Sequence, residues 1–328
     1  MTTGKARIAL VGGTGRSGTT VVNKILACHP DVVVCPPWRF MIDPDGVLDF
    51  INAKPGSWSP YEIDTRIKRL RALLKDVAGP TLPGWLLDGL KLRALSTKIG
   101  VNMVPRYAHI DAEGFCPGFT RLCAEFLQEI VEFSYNASWV GTRFLESHRM
   151  DYANQLDPAN TKAAAARFYH RIVDRCLERR GATTFVDRNT WNHLKFDQFL
   201  ELDGSIKLLH VYRDPRDVVA SYVNQSWMPK SPLEAARIYR DLTEAWIGVR
   251  DRVPSASFLE FALEDLVADP KGELGRVCEF LGLPWDDALL SVPLRAAHTG
   301  RWRNDIAEAE QVAVEAALAD SLDLWGYR

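Results

Sequence analysis

The stretch ARIALVGGTGRSGTT, residues 6 to 20, constrains this chain more than any other. RIALV (7–11) is a short strand-forming run. Gly13, Gly15 and Gly18 follow it, and TVVNKILACHP (20–30) then reads as a helix stopped near Pro30. A strand that runs into a glycine-rich turn and leaves as a helix is built to hold an anion. Glycine lets the backbone turn tightly and approach a ligand. The first amides of a helix have no intrahelical acceptor and sit at the positive end of its dipole. The amides of Ser17, Gly18, Thr19 and Thr20 therefore form an expected anion site. The spacing Gly13-x4-Gly18-Thr19-Thr20 mimics a Walker loop, but Thr19 stands where that loop carries lysine, and Arg16 lies inside the turn. Walker loops use that lysine on the β- and γ-phosphates, so its loss argues against ordinary ATP hydrolysis.

The same alternation continues along the chain. DVVVC (31–35), TTFVD (183–187), IKLLHVY (206–212) and ASFLEF (256–261) are further strand candidates, with amphipathic helices at 163–180 and 232–252 among them. Strands alternating with helices predict an α/β fold, a mostly parallel central sheet with helices on both faces. Right-handed crossovers then bring the strand C-termini to one edge, where ligands bind. Residues 60–180 differ. YEIDTRIKRLRALLKDVA places Ile63, Ile67, Leu70, Leu74 and Val77 on one helical face, and FTRLCAEFLQEIVEF does the same with Phe119, Leu122, Phe126, Ile130 and Phe133. This reads as a helical insertion, and Arg66, Arg69, Arg71 and Lys75 as its solvated face. DPDGVLDFINAKPGSWSP (43–60) is turn-rich and reads as a surface loop.

Composition narrows the partners. The formal net charge of −2 gives no global field for nucleic acid or an acidic membrane. No apolar run approaches 18 residues, so no transmembrane span is expected, and a strand beginning at residue 7 leaves no room for a signal peptide. Cys28, Cys35, Cys116, Cys123, Cys176 and Cys278 show neither zinc-type pairing nor a dense framework, which fits buried thiols in a reduced, cytoplasmic chain.

A second stretch, HVYRDPRDVVASYVNQ (210–225), adds another anion site. Arg213 ends a strand, Asp214 is an N-cap candidate, and Pro215 suits the first helical position. Arg213 and Ser221, eight residues apart, can both reach one phosphate at the sheet edge. Taken alone, Arg213 could equally pair with Asp217.

Together the two stretches resemble the sulfotransferases that use 3′-phosphoadenosine 5′-phosphosulfate, PAPS. GRSGTT is similar to that family's loop for the 5′-phosphosulfate, and the arginine and serine of YRDPRDVVASY to its 3′-phosphate site. VDRNTWN (186–192) resembles a DKTPxN element, LEDLVADP…CEFLGLPW (263–285) a YEDLxxDP…FLGL segment, and TGRWRND (299–305) the loop that closes over the co-substrate. The resemblance runs in family order from residue 8 to about 305 but does not cover the helical middle. It implies a single domain over 1–328, with the insertion at about 60–180 shaping the acceptor site. It implies sulfuryl transfer from PAPS, without a metal, to the hydroxyl of a small molecule, sugar, lipid or natural product. By resemblance Arg16 stands beside the 5′-phosphate, Arg188 replaces the lysine that contacts the transferring group, and Arg303, with Arg301 beside it, comes from the closing loop.

Departures from the pattern concern the base and the adenine. Pro36 and Pro37 occupy the place of a family glutamate, and Thr190 that of a histidine. Asp43 is the first candidate to take the acceptor proton. Asp187 is expected to orient Arg188, and His109, Glu146 and His148 remain further candidates. Leu263 stands where a tyrosine would touch adenine, leaving Trp38, Trp191 and Trp227 as stacking candidates. Two other readings stay open: a P-loop kinase or nucleotide hydrolase, for which Lys24 lies too deep in its helix, and a non-catalytic PAPS-binding protein. Acceptor identity and oligomeric state are not legible in the sequence.

Overall fold

The computed structural model describes residues 6–53, 59–79, 107, 110–138, 148–154, 158–294 and 299–328. The chain divides into two compact units, one made of residues 1–34 and 180–328, the other of Cys35–Arg179.

The first unit is built on a five-stranded parallel sheet with helices around it, formed by β1 (Arg7–Gly12), β2 (Val32–Val34), β5 (Thr184–Asp187), β6 (Lys207–Tyr212) and β7 (Phe258–Ala262). The strand order is β2-β5-β1-β6-β7. Each lies within a residue or two of the run that predicts it. The last begins at Phe258 because Ser255–Ser257 forms a 3₁₀ turn. The interior strands are mostly apolar in their middles, as a sheet covered on both faces requires. Ala9, Val11, Val186, Leu209 and Val211 pack with Val22, Ile25 and Leu26 of the helix Thr19–Leu26 and with Leu274, Val277 and Leu281 of the helix Pro270–Leu281. A second cluster joins Val218, Val219 and Tyr222 to Tyr239, Trp302, Val314 and Leu318. Register pairs Leu10 with Asp187, Gly12 with His210, and Tyr212 with Ala262. The segments that follow β1, β5, β6 and β7 therefore leave the sheet at one edge.

The described residues of the unit Cys35–Arg179 are mainly helical, with helices Val47–Ile51, Pro60–Ala78, Ala112–Phe115, Phe119–Ile130 and most of Pro158–Arg180. Ile63, Ile67, Leu70, Leu74 and Val77 are buried, as their spacing predicts. Two expectations are corrected. The turn-rich stretch 43–60 carries a short helix whose Val47, Leu48, Phe50 and Ile51 are buried. The apolar period through Phe133 does not continue as helix. The helix Phe119–Ile130 stops, and Phe133 opens β3 (Phe133–Ala137), which pairs antiparallel with β4 (His148–Tyr152) and leaves Phe133 exposed. The β-branched Val131 begins this turn toward strand, in extended backbone at the helix end. Trp38, a stacking candidate, is fully buried here against Phe40, Phe115 and Phe119, so it serves the core. All six cysteines are free thiols. No described helix is long and apolar enough to cross a membrane.

Candidate functional site

The glycine-rich turn is packed too tightly for side chains at its glycines. A Cβ on Gly13 would lie 2.5 Å from the Val211 carbonyl oxygen, and one on Gly18 2.7 Å from Leu263 Cδ1. Gly18 has φ of 105° and caps the helix Thr19–Leu26 with no side-chain hydrogen bond. Only the bare helix terminus faces outward there. Ser17 is fully buried, and its Oγ has no hydrogen-bond partner. A buried hydroxyl without a partner costs on the order of 1–3 kcal/mol, and an anion on the turn would relieve it.

Arg16 is exposed and held at φ of 60°, in the left-handed region that non-glycine residues seldom occupy. Its Nε donates to Ser221 Oγ at 2.9 Å. The structure thus brings Ser221 to the turn's arginine. Thr14 is tied to the same helix, because the Tyr222 hydroxyl donates to its carbonyl oxygen. From the other side, the Gly13 amide donates to the Thr190 carbonyl oxygen at 2.9 Å. Three sheet-edge segments are therefore laced into one structure.

The segment after β6 caps as its sequence predicts. Asp214 accepts from the Arg216 amide, and Pro215 opens the helix Pro215–Tyr222. Arg213 is buried, with Nη2 3.4 Å from Asp217 Oδ2 and Nε 4.0 Å from Glu264 Oε1. Asp217 was legible only as a partner for Arg213, yet it has a second duty. Its carboxylate accepts the amides of Gly300 at 2.8 Å and Trp302 at 3.1 Å, anchoring the TGRWRND loop. In that loop Arg301 pairs with Asp305, while Arg303 and Arg216 each lie 4.6 Å from the Trp302 ring centroid. Arg303 is exposed.

Past β5, Arg188 is exposed and makes no ion pair among the described residues. The buried Oδ1 of Asp187 accepts from the side-chain amides of Asn189 at 2.5 Å and Asn192 at 3.0 Å, which fixes the turn from which Arg188 projects. Under this turn His193 is fully buried beside His210, with ring centroids 5.2 Å apart. Burial, reinforced by His210, holds the His193 imidazole well below its usual range.

Asp43 lies in the other unit and is buried. Oδ1 accepts from Arg39 Nε at 2.7 Å and Nη2 at 2.5 Å, and Oδ2 accepts from the Tyr107 hydroxyl. Both carboxylate oxygens are therefore engaged by neighbouring side chains, which ties Asp43 into the packing of its own unit. His148 starts β4. His109 and Glu146 lie outside the described residues.

Comparison with curated proteins finds no match. Among solved structures, the chain is similar to the sulfotransferase STF9 from Mycobacterium avium, with 15% identity over 98% of this chain and 77% of that one and a TM-score of 0.50. It is also similar to the sulfotransferase domain of the Synechococcus PCC 7002 olefin synthase, with 18% identity over 97% and 88% and a TM-score of 0.42. At 15% identity the likeness to STF9 concerns the fold. The model of the sulfotransferase family matches residues 116–287, just over half of the chain, and reaches from the helical unit through β5, β6 and β7. The chain belongs to the sulfotransferase family.

Proposed function

We propose that this protein transfers a sulfuryl group from PAPS to a hydroxyl of a small-molecule acceptor. The observation that carries the reading is the Arg16–Ser221 contact, which draws two anion-binding segments 205 residues apart to one sheet edge. The residues fit PAPS: the buried Ser17 Oγ lacks a partner, and the turn admits no side chain at Gly13 or Gly18. When bound, PAPS supplies an activated sulfuryl group. Transfer makes an S–O bond to the acceptor oxygen, which gives up its proton to solvent, while the bond from sulfur to the phosphate's bridging oxygen breaks and leaves its electron pair on that oxygen.

The chain's own residues then have distinct duties. The amides of Ser17, Gly18, Thr19 and Thr20, with Arg16, hold the 5′-phosphate. Arg213 and Ser221 hold the 3′-phosphate by charge-assisted and hydroxyl hydrogen bonds. Arg188 and Arg303 are exposed cations placed to stabilise charge growing on the bridging oxygen, a role that fixed guanidinium groups can fill without a metal. Arg301, paired with Asp305, steadies the loop that carries Arg303. Asp43 holds its own loop rather than taking the acceptor proton. The insertion at residues 60–180 contributes to acceptor choice. Its unit contains a cavity of about 770 Å³ walled by Leu74, Leu127 and Val131, with Arg71 and Arg149 in its lining.

The test is incubation with ³⁵S-labelled PAPS and a panel of alcohols and phenols in EDTA, alongside calorimetry with the product 3′-phosphoadenosine 5′-phosphate, PAP. Labelled product in EDTA supports the proposal. PAP binding without turnover of any acceptor supports a non-catalytic PAPS-binding protein. Turnover that needs ATP and magnesium supports a kinase or hydrolase.

A further inference from the structure

Trp227 is 49% exposed, yet its ring is held in place. It meets Trp191 edge-to-face, with centroids 6.3 Å apart and planes at 79°, and Tyr222 likewise at 5.7 Å and 65°. Tyr222 is itself pinned to the Thr14 carbonyl. The turn that carries Trp227 is closed by Lys230 Nζ, which donates to the carbonyls of Val223 at 2.8 Å and Gln225 at 3.1 Å. The exposed part of the ring is thus presented on a fixed support rather than on a loose side chain.

Its position says which end of the bound co-substrate it serves. Gly15 and Gly18 mark the two ends of the turn. At Gly18 the neighbour is Leu263, the residue in the place of the family's adenine-contacting tyrosine. At Gly15 the neighbours are Trp227 Cη2, 3.3 Å from a Cβ built there, and Thr190 Cγ2, at 3.6 Å. Thr190 and Trp191 belong to the segment that carries Arg188. Trp227 therefore stands on the Arg188 side of the turn, where the transferring group is proposed to sit, and away from the adenine side.

We infer that Trp227, braced by Trp191 and Tyr222, is a stacking wall for the acceptor and selects hydroxyls carried on a ring with a flat, weakly hydrated face. The inference rests on the PAPS-dependent reading above. An indole face gains dispersion and electrostatic contact from such a ring that an open chain cannot match. Two sources share this chemistry: the π face of a phenolic ring and the C–H face of a sugar.

The experiment measures binding to the PAP-saturated full chain, so it does not depend on turnover. The probes are 2-naphthol for the π face, methyl β-D-glucopyranoside for the C–H face, and 1-hexanol for an open chain. Each is titrated by calorimetry into wild type, Trp227→Ala and Trp227→Phe, and PAP affinity is measured on all three. In wild type at least one ring probe binds more tightly than 1-hexanol. Trp227→Ala reduces that preference by about tenfold, Trp227→Phe retains most of it, and PAP affinity stays within about twofold. Which ring probe responds identifies the source. PAP affinity that falls in step with the ring preference would instead put Trp227 against the adenine and overturn the inference alone. So would binding of neither ring probe, or equal loss for ring and open-chain probes. Failure of wild type to bind PAP at all overturns the PAPS reading, and the inference with it.

Discussion

Arg16 Nε donates to Ser221 Oγ across 2.9 Å, joining the strained turn after β1 to the last turn of the helix after β6. Arg16 holds a backbone conformation, φ of 60°, that L-residues disfavour by roughly 1–2 kcal/mol. Ser221 is buried. The contact makes one unit of two residues that were expected to serve different phosphates.

Coupled residues should not act additively. Arg16→Ala and Ser221→Ala each weaken PAP binding, and the double variant loses less than the sum. The interaction energy expected for groups in direct contact is about 0.5–3 kcal/mol. Calorimetric titration of PAP into the four proteins gives it. Additive losses would mean that the two residues act separately in solution.

Arg213→Ala should weaken PAP by about ten- to a hundredfold, the value of a charge-assisted bond of roughly 1.5–3 kcal/mol. The same change leaves the fully buried Asp217 without its arginine, and Asp217 also anchors the amides of Gly300 and Trp302. Thermal stability should therefore fall along with affinity. Arg213→Lys, which restores a cation but not the planar fork, should recover more stability than affinity. Unchanged PAP affinity in folded Arg213→Ala would remove Arg213 from the 3′-phosphate site.

Arg188→Ala should behave differently. Its guanidinium is exposed and supports no described ion pair, so stability should be nearly unchanged. An interaction made chiefly in the transition state lowers kcat more than it lowers binding. PAP affinity within about twofold of wild type, with kcat reduced by about tenfold or more, is the expected result. Loss of PAP affinity in proportion to rate would make Arg188 a binding residue.

The parts of this molecule that were legible in the sequence are those fixed by local rules. The strand-turn-helix after residue 7, the Asp214 cap with Pro215, and the buried face of Pro60–Ala78 depend on near neighbours, and each appears where its pattern places it. What escaped is long-range. Nothing in the spacing of Asp217 reveals that it accepts amides 83 and 85 residues away. The β3–β4 hairpin was hidden because FTRLCAEFLQEIVEF keeps an apolar period through Phe133, past the point where the helix ends. The two asparagine amides that fold back over the buried Asp187 carboxylate were likewise not legible, because only the turn after β5 brings them onto it.

His193 provides a pH dependence whose sign can be worked out. Burial, with His210 alongside, lowers its folded pKa well below the unfolded value of about 6.5. Between those two values the unfolded chain binds the extra proton, so stability rises with pH across that range and is lost as pH falls below about 6.5. The slope approaches about 1.4 kcal/mol per pH unit. The groups around the ring include His210, Trp246 and the backbone of Gly12. Glu260, hydrogen-bonded to His210, belongs to a lower window. Burial alone would raise its carboxyl, but the His210 and Trp246 hydrogen bonds and Arg250 outweigh that and hold it below the usual range. Urea unfolding at pH 7.5, 6.5 and 5.5 should show the loss in wild type and a flatter profile in His193→Leu. An identical slope in both proteins would assign it to another group.

Asp43 is the last case, and here the structure changes the expected outcome. A carboxylate acting as base contributes about 10²–10⁴-fold to turnover. Asp43 is instead the hub of a tight loop. Arg39, with φ of 52°, donates to Oδ1 through two nitrogens, Tyr107 donates to Oδ2, and the Gly46 amide donates to the Asp43 carbonyl at 2.8 Å. Gly46 cannot take a side chain, because a Cβ there would lie 2.5 Å from the Phe40 carbonyl oxygen. Asp43→Asn keeps the shape and one acceptor oxygen but removes the charge that faces Arg39. The Arg39 side chain is 31% exposed, so water screens part of that loss, and the cost should be near 1 kcal/mol rather than the 3–5 kcal/mol of a fully buried pair. Asp43→Ala, which also removes the oxygen that accepts from the Tyr107 hydroxyl, should cost more. Both variants should lose thermal stability in that order, with Asp43→Asn keeping kcat within about tenfold of wild type. A hundredfold fall in the kcat of Asp43→Asn, with melting temperature and PAP affinity unchanged, would restore Asp43 as the proton acceptor.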